Sequence, residues 1–230
     1  IETSGSRITA STVEMLDIEK EYDIAVIDEA QLVADDDRGH SWTRAILGTK
    51  AKEIHVYMSP VAKDVVTHLI GLCGDEYEIN EYERKTKLLV EEEAFSFPDD
   101  VKEKDAFIVF SKKSVLNIAA RLEERGIKSS VIYGSLPPEI RRRQMNMFNS
   151  GETKVVVSTD AIGMGLNLPV RRIVFLEMDK FDGNERRPLL LPEIKQIAGR
   201  AGRYGLYDTG YVTAHGKNNL NYIKRMWDQK

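Results

Sequence analysis

The sequence VVVSTDAIGMGLNLP at residues 155–169 decides which fold the chain can adopt. Residues 155–158 are a β-branched run that predicts a buried parallel strand, and Thr159 follows at its carboxyl end, where α/β sheets place their ligands. Gly163 and Gly165 carry no Cβ, so the loop can bring backbone N–H groups close to an anion such as a phosphate. This stretch therefore predicts an α/β sheet with an anion-binding loop at its edge.

A second motif, QIAGRAGR at residues 196–203, combines glycine spacers with Gln196, Arg200 and Arg203. A guanidinium is always charged and its planar fork matches phosphate oxygens, which suits phosphate clamping and neutralisation of transition-state charge. The alternative interpretation is a salt-bridged surface helix. The glycine spacing favours a nucleotide-binding role for this motif.

Buried apolar runs alternate with helical patterns along residues 85–216. Each run ends in polar residues, and a helix-period pattern follows it. This alternation predicts a parallel sheet with right-handed crossovers and helices on both faces. The predicted strands are residues 88–90, 106–110, 130–133, 154–158, 172–176 and an edge strand at 211–213. One predicted helix follows Ser111-Lys112-Lys113, and two others occupy residues 138–148 and 191–201.

Near the start, residues 22–27 predict another buried strand, which runs directly into Asp28-Glu29. Two carboxylates at the carboxyl end of a strand suit a nucleotide-bound Mg²⁺, because this ion prefers oxygen ligands. A solvated strand end is the alternative for a lone Asp-Glu pair. The following segments predict a helix around Trp42, a strand at 53–58, a helix at 62–71 and a strand at 77–82.

Composition and charge separate the chain into two parts. Residues 1–84 carry 8 Lys+Arg against 18 Asp+Glu, a net of −10, whereas residues 85–230 carry 25 against 19, a net of +6. The basic part is expected to hold phosphates. We place the domains at residues 1–84, 85–216 and 217–230, the last being the start of a helical segment. No apolar run approaches the roughly 20 residues of a membrane span, which predicts no membrane partner.

Several isolated features are interpreted as structural. Cys73 is predicted to be a small buried hydrophobe, and the lone cysteine fits a reducing compartment. The clusters Arg141-Arg142-Arg143, Arg171-Arg172 and Arg186-Arg187 are interpreted as solvated faces.

The Asp28-Glu29-Ala30-Gln31 box, the Thr159 to Leu168 loop and the 196–203 motif occur in one order that resembles superfamily-two helicases of the DExH type. The closest likeness is to the RNA helicase of the mitochondrial RNA degradosome and its bacterial relatives, and it covers nearly all of the chain. The resemblance implies two RecA-like parallel-sheet domains in tandem. It also implies ATP and Mg²⁺ as cofactors, RNA as partner, an exoribonuclease partner, and a bacterial cytoplasmic or mitochondrial matrix location.

The resemblance also implies a role for each matching residue. In the first domain, Asp28 holds Mg²⁺ on ATP, Glu29 positions or activates the attacking water and Gln31 senses the γ-phosphate. In the second, Gln196 hydrogen-bonds near the nucleotide, Arg200 contacts phosphate and Arg203 is the arginine finger. Gly163 and Gly165 are implied to lie between the nucleic acid and the nucleotide. Four further residues are implied to lie beside nucleic acid: Thr159, Ser111, Lys112 and Lys113.

A P-loop, G-x-x-x-x-G-K-S/T, should precede the Asp-Glu box, and nothing between Ile1 and Asp28 matches it. We therefore expect a fragment whose first domain is truncated at its N-terminus and which does not hydrolyse ATP at a normal rate by itself. Two alternatives stay open. One is a P-loop-less module that binds RNA or a partner without turnover, and the other is a DNA helicase, because these motifs contact phosphate rather than bases.

Overall fold

The computed structural model describes residues 7–163 and 166–227, which form two compact units that divide between Tyr82 and Glu83. The first unit has two parallel strands and two helices. They are β1 (Glu21–Ile27), α1 (Gly39–Gly48), β2 (Lys50–Val56) and α2 (Lys63–Cys73). The core of the unit lies where α1 and α2 pack against one face of the strand pair, through Trp42, Ile46 and Val66 on the helices and Ile27 on β1.

Three sequence predictions for this unit are wrong. Strand β1 was expected to be buried, but Ile24 and Val26 are 60% and 63% exposed, because among the described residues β1 pairs only with β2 and the helices cover one face. Residues 77–82 form no strand, because no described strand pairs with them. Cys73 is exposed rather than buried, because it is the last residue of α2.

The second unit is built on a six-stranded parallel sheet with the order β3-β10-β7-β4-β6-β5. A separate antiparallel pair, β8 with β9, lies outside this sheet. The strands are β3 (Lys87–Val90), β4 (Asp105–Ile108), β5 (Ser129–Ile132), β6 (Val155–Ser158), β7 (Arg172–Phe175), β8 (Asp179–Phe181), β9 (Arg186–Pro188) and β10 (Thr209–Ala214). The helices are α3 (Lys112–Glu123), α4 (Pro138–Ser150), α5 (Leu191–Ala198) and α6 (Lys217–Trp227).

Alternate residues of the central strands enter two separate cores, one on each face of the sheet. Phe107 and Val157 pack with α3 on one face, whereas Ile108 and Val156 pack with α4, α5 and α6 on the other. Strands buried on both faces need continuous apolar runs, which explains why their sequences do not alternate with polar residues. The predicted parallel α/β sheet with helices on both faces is confirmed.

The second unit differs from the prediction at two places. Residues 211–213 were expected to form an edge strand, but β10 lies between β3 and β7, and the edges are β3 and β5. The β8–β9 hairpin was not predicted, because its strands are short and polar. Helix α6, which lies in the predicted segment 217–230, packs Leu220 and Ile223 against the core of the second unit.

Arg172 was interpreted as solvated, but it is 5% exposed and holds a buried ion-pair network. Its guanidinium donates to both oxygens of Asp105 at 2.9 and 2.7 Å, to Glu91 at 3.2 Å and to the Asp100 carbonyl at 2.8 Å. Burial raises the pKa of Asp105 in spite of these bonds. Burial lowers the pKa of Arg172, but the hydrogen bonds and charges of Asp105 and Glu91 together outweigh it, so the pKa is raised.

We expect Arg172→Leu to lower the free energy of unfolding by about 3–5 kcal/mol, because it leaves the Asp105 carboxylate buried without its partner. Urea denaturation of the wild type and the variant would measure the change. Lys154→Ala is the control, because it removes an exposed ion pair with Glu103 that should contribute about 0–1 kcal/mol. Equal losses in the two variants would contradict this prediction.

Candidate functional site

The acidic box follows β1 in a strained turn. Glu29 has a left-handed backbone, with φ 55° and ψ 37°, and its N–H donates to the Asp28 carboxylate at 2.8 Å. The turn is held because Trp42 Nε1 donates to the Asp28 carbonyl at 2.9 Å and the Ala30 N–H donates to the Tyr57 carbonyl at 2.9 Å. A non-glycine residue in this conformation costs about 1–3 kcal/mol and is typical of functional sites.

Gln31 connects the acidic box to the end of β2. Its amide nitrogen donates to the Glu29 carboxylate, and its amide oxygen accepts the Ser59 N–H at 3.1 Å. A change at Glu29 can therefore reach Ser59 and the turn at Pro60 through one side chain. This contact is the structural reason to include the Ser59-Pro60 turn in the candidate site.

The donor set at the acidic box fits a magnesium ion that is carried by a nucleotide. Asp28 is exposed at the carboxyl end of β1 and supplies carboxylate oxygens, which Mg²⁺ prefers. Within the described residues, no group of three or more His, Cys, Asp or Glu side chains could hold a metal alone. Mg²⁺ at nucleotide sites takes one or two carboxylates plus phosphate oxygens, so one Asp28 is sufficient on the protein side.

In the second unit, the predicted Ser111-Lys112-Lys113 tip lies at the N-terminus of α3. Ser111 Oγ accepts the Ser114 N–H at 2.9 Å and so caps the helix. Lys112 Nζ lies 5.4 Å from the centroid of the Tyr133 ring. All three tip residues are exposed, as a phosphate-binding tip requires.

Glu177, which the sequence analysis missed, positions this tip from the end of the neighbouring strand β7. Its carboxylate accepts the Phe110 N–H at 2.8 Å and the Ser114 hydroxyl at 2.7 Å. Ser111 and Ser114 are in turn joined by a hydroxyl hydrogen bond of 2.8 Å. Nothing local in the sequence indicates this contact, because 67 residues separate Glu177 from Phe110.

The loop after β6 begins with Thr159, which is buried, and whose Oγ1 accepts the Ala161 N–H at 3.3 Å. Gly163 is also buried, and its carbonyl accepts a hydrogen bond from the Arg200 guanidinium. A Cβ at Gly163 would lie 3.5 Å from Gln196 Cγ, an ordinary van der Waals distance. The structure thus brings Gly163, Gln196 and Arg200 together. Gly165, the other predicted loop glycine, lies outside the described residues.

The two predicted arginines differ in their surroundings. Arg200 is anchored to the loop through Gly163, whereas in the described part of the chain no side-chain hydrogen bond or ion pair involves the half-buried Arg203 guanidinium. The main chain of Arg203 is fixed, because its carbonyl accepts the N–H groups of Leu206 and Tyr207. A fixed backbone with an available guanidinium suits a residue that contacts a ligand.

Arg84, at the end of the first predicted domain, holds the end of the arginine motif. Its guanidinium donates to the carbonyls of Thr86 and Gly199, both at 3.0 Å, and to the carbonyl of Ala201. Burial lowers the pKa of Arg84, and the charge of Arg200 lowers it further. Arg84 therefore satisfies the C-terminal carbonyls after α5, which otherwise have no intrahelical partner.

Gly202 has a packing role in addition to any role at a phosphate. It has a left-handed backbone with φ 74°, and a Cβ there would lie 2.5 Å from Thr86 Cγ2 and 2.6 Å from the Gly210 nitrogen. A Cβ at Gly210 would in turn lie 2.6 Å from the Ala201 carbonyl. The two glycines thus let the arginine motif pack with its backbone directly against β10.

We expect Gly202→Ala to lower the free energy of unfolding by about 3 kcal/mol, because it adds overlap with fixed backbone to the cost of a left-handed alanine. Urea denaturation measures the effect. Gly205→Ala is the matched control, because Gly205 has φ 82° with open space around it and should lose only about 1–2 kcal/mol. Similar losses in both variants would show that the close packing is unimportant.

A cluster of charged side chains joins the β8–β9 hairpin to α5. Glu193 accepts two hydrogen bonds of 2.9 Å from Arg187 and one of 2.7 Å from Lys180. Lys180 also lies 3.8 Å from Asp160 in the loop after β6. Burial raises the pKa of Glu193, but the hydrogen bonds from Arg187, Lys180 and the Leu190 N–H outweigh it and lower the pKa to about 2. Arg187, interpreted as solvated, is therefore paired.

Because the pKa of Glu193 is lower in the folded state, its contribution to stability should be complete above about pH 5 and should decrease as pH falls toward about 2. We expect Glu193→Gln to cost about 3 kcal/mol at pH 7 and progressively less at lower pH. Urea denaturation between pH 7 and pH 3 would show the difference narrowing. A difference that stays constant, as for a Glu152→Gln control on the surface, would contradict the ion-pair account.

Comparison with known families agrees with this arrangement. The model for the DEXQ-box helicase domain of Suv3 matches residues 1–82, and the model for the helicase conserved C-terminal domain matches residues 84–205. The chain is 43% identical to the mitochondrial ATP-dependent RNA helicase SUV3 of Candida albicans, over 95% of this chain and 31% of that protein. It is 40% identical to the human mitochondrial ATP-dependent RNA helicase SUPV3L1, over 94% of this chain and 28% of that protein. The chain thus spans about a third of the length of these relatives.

Among solved structures, Saccharomyces cerevisiae Dbp5 bound to RNA and ADP BeF3 matches with a TM-score of 0.62 and 18% identity, over 89% of this chain and 56% of that chain. This likeness confirms the predicted RecA-like fold. None of the helices in residues 7–163 and 166–227 is long and apolar enough to cross a membrane. The two family models match in the order that the sequence motifs predicted, and the second covers more than half of the chain, so the chain belongs to the family of the helicase conserved C-terminal domain.

Proposed function

We propose that this chain is part of an ATP-dependent RNA helicase that couples ATP hydrolysis to movement along RNA and to unwinding. The relatives that carry this name are about 40% identical over most of the chain. The proposed domains are residues 1–84, 85–216 and 217–230. Because the matched relatives are about three times longer, this chain supplies only part of the whole activity.

The first unit contributes the acidic part of the ATP site. Asp28 provides an oxygen ligand to a Mg²⁺ ion on the triphosphate, which neutralises charge on the phosphates. Glu29 accepts a proton from the attacking water or orients it, and Gln31 senses the γ-phosphate. The hydrogen bonds of Gln31 to Glu29 and Ser59 support this division of roles, because they orient the Glu29 carboxylate.

The second unit contributes cationic groups for a nucleotide and a surface for RNA. Gln196 hydrogen-bonds near the nucleotide, Arg200 contacts phosphate and Arg203 neutralises charge in the transition state. The exposed tip Ser111, Lys112 and Lys113, together with Thr159, contacts the phosphates of RNA. Such contacts position the strand without reading its sequence.

The single observation that carries the proposal is the hydrogen bond between the Arg200 guanidinium and the Gly163 carbonyl. It connects the segment 196–203, which carries the proposed nucleotide contacts, to the loop that carries the proposed RNA contact at Thr159. A change at the phosphate can therefore alter the RNA-binding loop through one contact. Coupling of this kind requires that the two ligands bias the same structural element.

The experiment is an ATPase and unwinding assay on the full-length protein, with single-stranded RNA or DNA of the same sequence as stimulator. We expect RNA to stimulate ATP turnover and a duplex with an overhang to be unwound. Stimulation by DNA alone would indicate a DNA motor, and binding without turnover would indicate a binding module. A glycine-rich loop with Lys-Ser/Thr in the coding sequence upstream of Ile1 would support turnover.

The same relatives support a proposal on location. The matched relatives are named mitochondrial proteins, which supports a mitochondrial matrix location. We further propose an exoribonuclease as partner, since a helicase that removes RNA structure would deliver single strands to such an enzyme. Co-purification of a ribonuclease activity with the tagged full-length protein would test this.

A further inference from the structure

A cleft of about 310 Å³ opens beside α3 in the second unit, at the carboxyl ends of β4, β7 and β10. It lies outside the predicted ATP contacts. Ligands of α/β sheets bind at this edge, and a volume near 300 Å³ is at the lower end for small-molecule sites. Its main lining residues are Phe97, Lys113, Asn117, Arg121, Glu177 and His215.

One wall of the cleft is a row of polar side chains on α3. Lys113, Asn117 and Arg121 follow each other at intervals of four residues, so they lie on the same face of the helix. They offer two cations with an amide between them. The Arg121 guanidinium lies 4.6 Å from the centroid of the Phe97 ring, so that a flat cationic surface is already stacked on an aromatic one.

The opposite side of the cleft offers a hydrogen-bond acceptor. His215 Nδ1 lies 3.1 Å from the Phe95 carbonyl, which can only accept, so this nitrogen is the donor. In the neutral ring, Nε2 is then an acceptor. The floor includes the buried Val109 and is apolar, which suits the face of a planar ring.

The one carboxylate in the cleft is already satisfied. Glu177 accepts hydrogen bonds from the Phe110 N–H and the Ser114 hydroxyl. Its carboxylate is therefore hydrogen-bonded at the N-terminal end of α3. Besides His215 Nε2, the side chains that the cleft offers to a ligand include Lys113, Asn117 and Arg121. The cleft is therefore suited to a ligand that is both planar and anionic.

We propose that this cleft binds one nucleotide, with the base stacked on the Arg121–Phe97 pair, its edge against Asn117 and its phosphate at Lys113. Base stacking on aromatic and arginine side chains is a common way to hold an unpaired base. The nucleotide can come from the bound RNA strand, which rests on the proposed function and on Lys113 in the RNA-binding tip, or from a free mononucleotide. Either source meets the same chemistry.

The test uses the full-length protein and the variants Asn117→Ala and Arg121→Ala, which change exposed residues on the helix surface. The probes are a 12-nucleotide single-stranded RNA that carries 4-thiouridine, and the free mononucleotides AMP and UMP. We expect Arg121→Ala to weaken RNA binding about 5- to 100-fold, in line with the loss of one base stack. We also expect the thiouridine crosslink to map to the peptides with Phe97 and Asn117.

Arg125→Ala is the matched control, because it removes the same charge from a position just beyond α3 and outside the cleft lining. If AMP or UMP binds and is weakened by the variants while the RNA affinity is unchanged, the source is a free nucleotide. If both variants resemble Arg125→Ala with every probe and no crosslink maps to the cleft, the proposal is refuted, even though RNA-stimulated ATPase persists. If RNA neither binds nor stimulates but mononucleotides occupy the cleft, the proposed function fails and the site stands.

Discussion

Glu29→Gln in the full-length protein should lower RNA-stimulated ATP turnover by about 10²- to 10⁴-fold, the range expected for loss of a general base. Glutamine has the size of glutamate and its amide oxygen can still accept the hydrogen bond from Gln31. The turn and the Ser59 contact are therefore retained, while the group that accepts a proton from water is lost. Steady-state ATPase assays with saturating RNA would measure the effect.

Glu21→Gln is the control for this experiment, because Glu21 is an exposed carboxylate at the other end of the same strand. ATP and RNA affinities of the Glu29 variant should stay within a few-fold of the wild type, since both ligands bind before the water attacks. Turnover at the wild-type rate would remove Glu29 from the mechanism. An equal loss in the Glu21 variant would point to damage of the strand pair instead.

Arg203→Ala should lower ATP turnover about a thousandfold or more, which is the range for an arginine finger. Its guanidinium has no hydrogen-bond or ion-pair partner within residues 7–163 and 166–227, so its removal should not destabilise the described fold. RNA affinity should change little, because the proposed RNA contacts lie at α3 and at the loop after β6. Turnover, RNA affinity and urea denaturation together separate these effects.

Arg142→Ala supplies the control for the arginine, because Arg142 is an exposed arginine on α4 in the same unit. It should leave turnover unchanged within a few-fold. Parallel loss of RNA binding and turnover in Arg203→Ala would refute the finger role and would assign Arg203 to the RNA surface. Unchanged turnover and unchanged RNA affinity would exclude Arg203 from both the finger role and the RNA surface.

The sequence predicted the second unit well because its central strands are buried on both faces. Runs such as 155–157 must be apolar throughout to satisfy two cores at once, and this pattern differs clearly from loops and amphipathic helices. Position within the sheet was harder to predict. Residues 211–213 were expected at an edge, but the neighbours of β10 are β3 and β7, which are distant in sequence.

The first unit shows why an apolar run is insufficient evidence of burial. Ile24 and Val26 have the composition of a core strand, yet burial also requires covering layers, which depend on other parts of the chain. Similarly, residues 77–82 alternate like a strand, but a strand needs a hydrogen-bonding partner. The missed β8–β9 hairpin did carry a usable signal, the Asp182-Gly183 pair, because Asp-Gly is typical of tight hairpin turns.

For the candidate site, the sequence indicated which residues follow strand ends but not which side chains hold them. Glu177 and Arg84 act on backbone groups that lie 67 and 115 residues away, and such contacts leave no local pattern. Arg172 was misassigned for the same reason, since its partners Asp105 and Glu91 come from other strands or loops. The roles of the individual site residues remain predictions that the variants above test.

The contact between Gly202 and Gly210 has a mechanical consequence. The backbone before Arg203 packs directly against the backbone of β10. This segment therefore cannot rotate about a hinge. In the proposed finger role, the Arg203 guanidinium would therefore reach a phosphate through rotamer changes of its own side chain, and the stiff backbone would keep the starting point of that side chain constant.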